Sequence, residues 1–84
     1  MKLTRYWFEF VEPIESELRR SFGVSAWNYD DALHILRSSV HDFHQLQLTQ
    51  SMSDVDVTML DPNHVLPNMG IWSVRGIWFP KGYQ

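Results

Sequence analysis

Between Lys2 and Val11 apolar and polar side chains alternate with period two, Tyr6, Phe8 and Phe10 falling on one side and Arg5, Trp7 and Glu9 on the other. That pattern predicts a half-buried strand. Pro13 ends it, and the acidic stretch Glu12 to Glu17 reads as an exposed loop. A second strand is predicted from about Leu18 to Trp27, where Phe22, Val24 and Ala26 share a face across the permissive Gly23. The two strands would pair as in a hairpin.

Asn28 then occupies an N-cap position, and Asp30 and Asp31 follow in what would be the first helical turn, where carboxylates oppose the positive end of the helix dipole. Ala32, Leu33, Leu36, Val40 and Phe43 recur on one helical stripe with Ile35 beside it, and His34, Arg37, His41 and His44 follow the opposite stripe. The helix is expected to fray between Phe43 and Leu48, and the polar run Gln45 to Ser53 to be a loop. Val55, Val57 and Met59 alternate with Asp56, Thr58 and Leu60, predicting a third strand over Val55 to Leu60. Asp61-Pro62-Asn63 suits a type I turn, and Pro67, Asn68 and Gly70 keep Val65 to Gly70 irregular. A last strand is expected from Ile71, or only from Arg75, to Phe79, with Gly76 as a bulge or kink and Pro80 closing it. The order β-β-α-β-β predicts a small α+β fold: a mainly antiparallel sheet with one helix packed on one face. One helix covers only one face, so Trp7 and one of Trp72 and Trp78 are expected to stay partly exposed.

Composition narrows the picture. Eighty-four residues make a single domain over residues 1–84, whose stability rests on a few large side chains, here five Phe, four Trp and three Tyr. With no cysteine there is no disulfide framework, thiolate chemistry or Cys-type zinc site, and a reducing cytoplasm fits best. The apolar run behind Lys2 and Arg5 is interrupted by Glu9 and Glu12 and is too short for a signal or a membrane span. Ten acidic against seven basic residues give a net charge of -3, and the basic residues are scattered apart from Arg19-Arg20. Nucleic-acid binding by counterion release needs clustered cations, so it is disfavoured, stacking on single strands included.

Three constellations could carry chemistry. His34, His41 and His44 would share one side of a helix, but no carboxylate accompanies the pair His41–His44, and a solvated helix face explains them without a metal. Asp54, Asp56 and Asp61 with His64 could hold a small ligand or a divalent cation, or serve hydrolysis; outward-facing strand charges and a turn-capping Asp61 explain them without function, and the spacing of a calcium loop is missing. Trp7, Trp72, Arg75 and Trp78 are candidate partner-binding residues, because exposed Trp and Arg are the side chains that most often anchor interfaces. The competing reading is that the indoles are core and Arg75 only covers them. Nucleophile elbows, phosphate-binding glycine loops and dinucleotide fingerprints are missing, so the sequence points to no enzymatic reaction and no cofactor.

The blocks Arg5-Tyr6-Trp7-Phe8-Glu9-Phe10, Gly23-Val24-Ser25-Ala26 leading to Asp31-Ala32, His64-Val65-Leu66-Pro67-Asn68-Met69-Gly70 and Arg75-Gly76-Ile77-Trp78-Phe79-Pro80 cover about a third of the chain. Together they resemble a group of small, uncharacterised bacterial proteins. The resemblance implies a bacterial or phage origin and supplies no activity. From the residues themselves, the expected role is a non-enzymatic accessory or regulatory module, monomer or homodimer, that binds another protein through its aromatic C-terminal surface. The alternative is a small-molecule or metal-binding domain built on the Asp/His cluster.

Overall fold

The structure, a computed structural model, describes residues 2–12 and 19–83. Strands β1 (Thr4–Val11) and β2 (Arg19–Ala26) pair antiparallel in unbroken register from Thr4↔Ala26 to Val11↔Arg19. The strand end at Pro13, the loop to Glu17 and the start at Leu18 lie outside the described residues. Period-two patterning places Tyr6, Phe8, Phe10, Phe22, Val24 and Ala26 on one face, as the alternation requires. Helix α1 (Tyr29–Ser39) covers that face with Ala32, Ile35 and Leu36.

The helix begins where its cap is written, the Asn28 Oδ1 accepting the Asp31 N–H at 2.8 Å. It ends earlier than the apolar stripe suggests. Val40 is already extended, the Ser38 hydroxyl donates to the His34 carbonyl, and Arg20 Nη1 grips both oxygens of Asp42 at 2.8 Å, drawing the next turn toward β2. Phe43 therefore reaches the core from a 3₁₀ turn (Phe43–Gln45), its ring edge-on to Phe10 at 5.5 Å.

Strand β3 (Gln47–Met52) corrects the sequence expectation of a loop there, and the strand expected over Val55 to Leu60 does not form. The reason is position in the sheet. β3 is an outer strand beside β1 in the order β3-β1-β2-β4, where β4 is Gly76–Phe79, and all six β3 residues are exposed, so burial imposes no alternation on them. A bulge falls at Thr49, between the pairs Glu9↔Gln50 and Phe10↔Leu48, and the Thr49 hydroxyl donates to the Glu9 carbonyl at 3.0 Å. The chain then turns at Asp54, whose φ of 55° lies in the left-handed region. Asp56 caps a 3₁₀ turn (Val57–Met59), accepting both the Thr58 N–H and its hydroxyl. Val57 is buried while Met59 is 81% exposed, so the Val55-Val57-Met59 alternation marks one inward side chain and no strand.

Strand β4 (Gly76–Phe79) starts at the later of the two expected positions, with Gly76 at φ 140° making the kink. Its Trp78 carbonyl accepts the Gly70 N–H at 2.6 Å, and the Lys81 N–H donates to Asn68 at 2.7 Å, so the segment containing a 3₁₀ turn (Leu66–Asn68) runs along this edge.

The second face of the sheet is also a core. Trp7 and Trp78, 6.1 Å apart, pack there with Val57 and Val65, flanked by Val55, Leu60, Met69 and Phe79. The long irregular segment after β3 is thus a lid over the face that the helix leaves bare. This corrects the expectation that Trp7 stays exposed: it and Trp78 are interior side chains, the latter fully buried. Trp78 lies flat on Gly23, where a Cβ would overlap its ring carbons. The Trp78 Nε1 has no hydrogen-bond partner among the described residues. Leaving it unpaired costs about 1–3 kcal/mol, against about 4–6 kcal/mol from burying roughly 150–250 Å² of indole at about 25 cal/mol per Å². Burial wins.

Gly23→Ala should therefore destabilise the fold by about 1–3 kcal/mol through overpacking, read from urea unfolding. An unchanged midpoint would show that the Trp78 ring does not rest on this backbone.

Candidate binding site

The Trp7–Trp78 core does not reach the end of the sheet where β1 begins and β2 finishes. There, Arg5 and Ser25 are register partners on the face that Trp7 and Gly23 also use. In place of packed side chains there is an open cleft of about 360 Å³, lined by Lys2, Leu3, Arg5, Ser25, Trp27 and the Trp72-Ser73 pair. This lies at the lower end of the range for ligand sites.

Each wall is fixed by hydrogen bonds. Arg5 and Val55 bond reciprocally: the Val55 N–H donates to the Arg5 carbonyl at 3.1 Å, and Arg5 Nε donates to the Val55 carbonyl at 2.8 Å. The Arg5 guanidinium is thereby held 5.2 Å from the centre of the Trp72 ring, a cation–π distance. Ser25, fully buried, donates its hydroxyl to the Trp72 carbonyl and fastens the loop that carries this indole. Trp27, just outside the helix cap, also lines the cleft.

Asp31 joins the two sides. Its Oδ2 accepts the Trp27 N–H at 3.0 Å and Arg75 Nε at 2.9 Å, and its Oδ1 accepts Arg75 Nη2. One carboxylate thus anchors the residue before the helix and the residue before β4. The Arg75 guanidinium is the main force holding the Asp31 carboxyl down to about 2, with the Trp27 N–H assisting and burial opposing. Arg75 is raised by the same pairing.

The expected site residues are distributed as follows. Trp72 is on the surface at 41% exposure, and Arg75 is exposed but engaged with Asp31. Trp7 and Trp78 are in the core, so the aromatic surface narrows to Trp72 and gains Trp27, 44% exposed. Asp54, Asp56, Asp61 and His64 do not converge. Asp54 forms the turn after β3, Asp56 is occupied by Thr58, Asp61 Oδ1 caps Asn63, and the His64 carbonyl receives Asn68 Nδ2. The Asp56 carboxyl is lowered chiefly by the Thr58 hydroxyl. Among the described residues no group of three His, Cys, Asp or Glu side chains could hold a metal ion, the helix-side histidines included.

Trp27 had a sequence signal: it follows Ala26, so alternation along β2 places it on the face opposite Phe22 and Val24. Lys2 and Arg5 had none beyond their charge, since nothing local shows that the chain from Gly70 to Val74 returns beside them.

The chain matches no protein-family model, no curated protein and no solved structure. Functional inference therefore rests on the residues and their arrangement.

Because the Asp31 carboxyl is depressed from 3.8 to about 2, its contribution to stability is complete above the unfolded value and is lost as pH falls from about 4 through about 2. Wild type should exceed Asp31→Asn in stability by a constant margin above about pH 5, the margin closing across that acidic window. A margin independent of pH would contradict the Arg75 pairing.

Proposed function

We propose that the protein is a non-enzymatic docking module that binds a partner protein through the surface centred on Trp27 and Trp72. The observation that carries this is the exposure of two indoles on backbone segments that hydrogen bonds fasten to the scaffold. Ile71 at 61% and Val74 at 52% extend the apolar surface along the same loop. Ser25, Asp31 and Arg5 spend their hydrogen bonds fixing that loop and its neighbours. Rigid, exposed aromatic side chains are efficient interface anchors because little side-chain entropy is lost on binding. Ile71 and Val74 lie outside the cleft lining, so the exposed apolar positions continue beyond the cleft, which favours a macromolecular partner over a small molecule. The resemblance to small bacterial proteins supplies no competing activity.

Comparison with an exposed apolar side chain outside the cleft tests this. Met59, 81% exposed, belongs to the 3₁₀ turn after β3, away from the cleft lining. In quantitative affinity capture from the source cells, Trp72→Ala should reduce recovery of a specific partner at least about tenfold, as losing an interface hot spot of about 2 kcal/mol does. Met59→Ala should leave recovery unchanged, and both variants should keep the wild-type circular dichroism spectrum. Equal recovery with both variants would refute docking at the indoles.

A further inference from the structure

The cleft has a charge character opposite to that of the whole chain. The protein carries a net charge of -3, yet the cleft lining includes Lys2 and Arg5 and, among the described residues, no carboxylate. Neither cation forms an ion pair with another described residue. Arg20, by contrast, lines the smaller cavity of about 200 Å³ beside Phe22 and Tyr83 and is neutralised by Asp42 and Glu12. Arg5 commits its Nε to the Val55 carbonyl, and its guanidinium remains beside the Trp72 ring within the cleft. Arg5 adds only the smallest contribution to the lowering of the Asp56 carboxyl, whose oxygen is already bonded to the Thr58 N–H and hydroxyl.

We infer that the cleft receives an acidic segment of the partner protein, with a carboxylate seated between Lys2 and Arg5 and an adjacent apolar or aromatic side chain against Trp27 and Trp72. This rests on the docking role proposed above and names the chemistry of what docks. Charge complementarity selects the acid: two cations with no carboxylate paired to them among the described residues, in a concave wall that excludes part of the solvent, favour an anion more strongly than they would on an open surface. The indoles select the neighbouring side chain, since their faces offer area to apolar atoms and to rings. The segment is a chain and not a free anion because the apolar surface runs past the cleft along Ile71 and Val74, which an isolated anion cannot cover.

The test is a set of heteronuclear NMR titrations of the labelled full chain with N-acetylated, C-amidated Glu-Asp-Leu-Phe-Glu, its isosteric Gln-Asn-Leu-Phe-Gln counterpart, and benzoate. The acidic peptide should shift the indole N–H signals of Trp27 and Trp72 and bind about fivefold to tenfold more tightly than the neutral one. That ratio corresponds to two partly exposed ion pairs. The preference should shrink as salt rises from 20 to about 300 mM and should fall in Lys2→Gln, an exposed position ahead of β1 that belongs to neither core, so that the variant keeps the fold. If both peptides shift the two indoles equally, the acidic preference is wrong and docking at the indoles stands. If neither moves them, the acidic-segment inference fails and the docking role loses its support as well. Benzoate binding as tightly as the acidic peptide would overturn the chain ligand in favour of a small planar carboxylate.

Discussion

The seating of Trp78 on the bare backbone of Gly23 organises the second half of the molecule. A sheet with one helix has one dry face and one wet face unless something covers the other, and the chain has only irregular segments left to do it. A fully buried indole supplies the necessary area, but only if the sheet beneath it offers a place without a side chain. Gly23 is that place. Trp7, the register partner of Gly23 on β1, closes the group from the side, and Val57 and Val65 reach it from the lid. The lid needs little regular structure because its job is to deliver a few apolar side chains while its backbone is satisfied by turns and by β4.

The same arrangement sets the limits of the cleft. The tryptophan core ends along the sheet where the residues on its face change from Gly23 and Trp7 to Ser25 and Arg5. Those polar residues cannot be left unpaired under a lid, and both bond to its backbone: Ser25 to the Trp72 carbonyl in the loop before β4, and Arg5 through its Nε to the Val55 carbonyl just after β3. The loop is therefore held near the sheet without being packed into it, and the space between remains open. Asp31 adds the lateral tie by accepting from both Trp27 and Arg75, and it also uses its own N–H to complete the helix cap. A surface with two exposed indoles results from polar hydrogen bonds that replace apolar packing at one end of the sheet.

Much of the architecture was legible because burial writes itself into alternation. β1 and β2 are each buried against the helix on one face, so Tyr6, Phe8, Phe10 and Phe22, Val24, Ala26 announced their strands, and Asn28 with its following aspartates announced the helix. β3 was illegible for the same reason in reverse: Gln47 to Met52 is an outer strand with every residue exposed, and its pairing is backbone hydrogen bonding to β1. The Val55-Val57-Met59 alternation misled because only Val57 is buried there. At the site, Trp72 and Arg75 were recognisable as unusual residues, but the partners that fix them, Ser25 and Asp31, stand more than forty positions away. Lys2, Arg5 and Trp27 became part of one site only through the return of the chain across the sheet, which no local pattern encodes.

The central claim is a division of the four tryptophans into an interior pair, Trp7 and Trp78, and a surface pair, Trp27 and Trp72. Acrylamide quenching of the wild type and of the Trp27→Phe/Trp72→Phe double variant tests it directly. The account predicts a readily quenched, red-shifted component in the wild type that disappears in the double variant, leaving blue-shifted emission protected from quencher. A double variant that still quenches readily would place Trp7 or Trp78 in water and remove the second core on which the cleft depends.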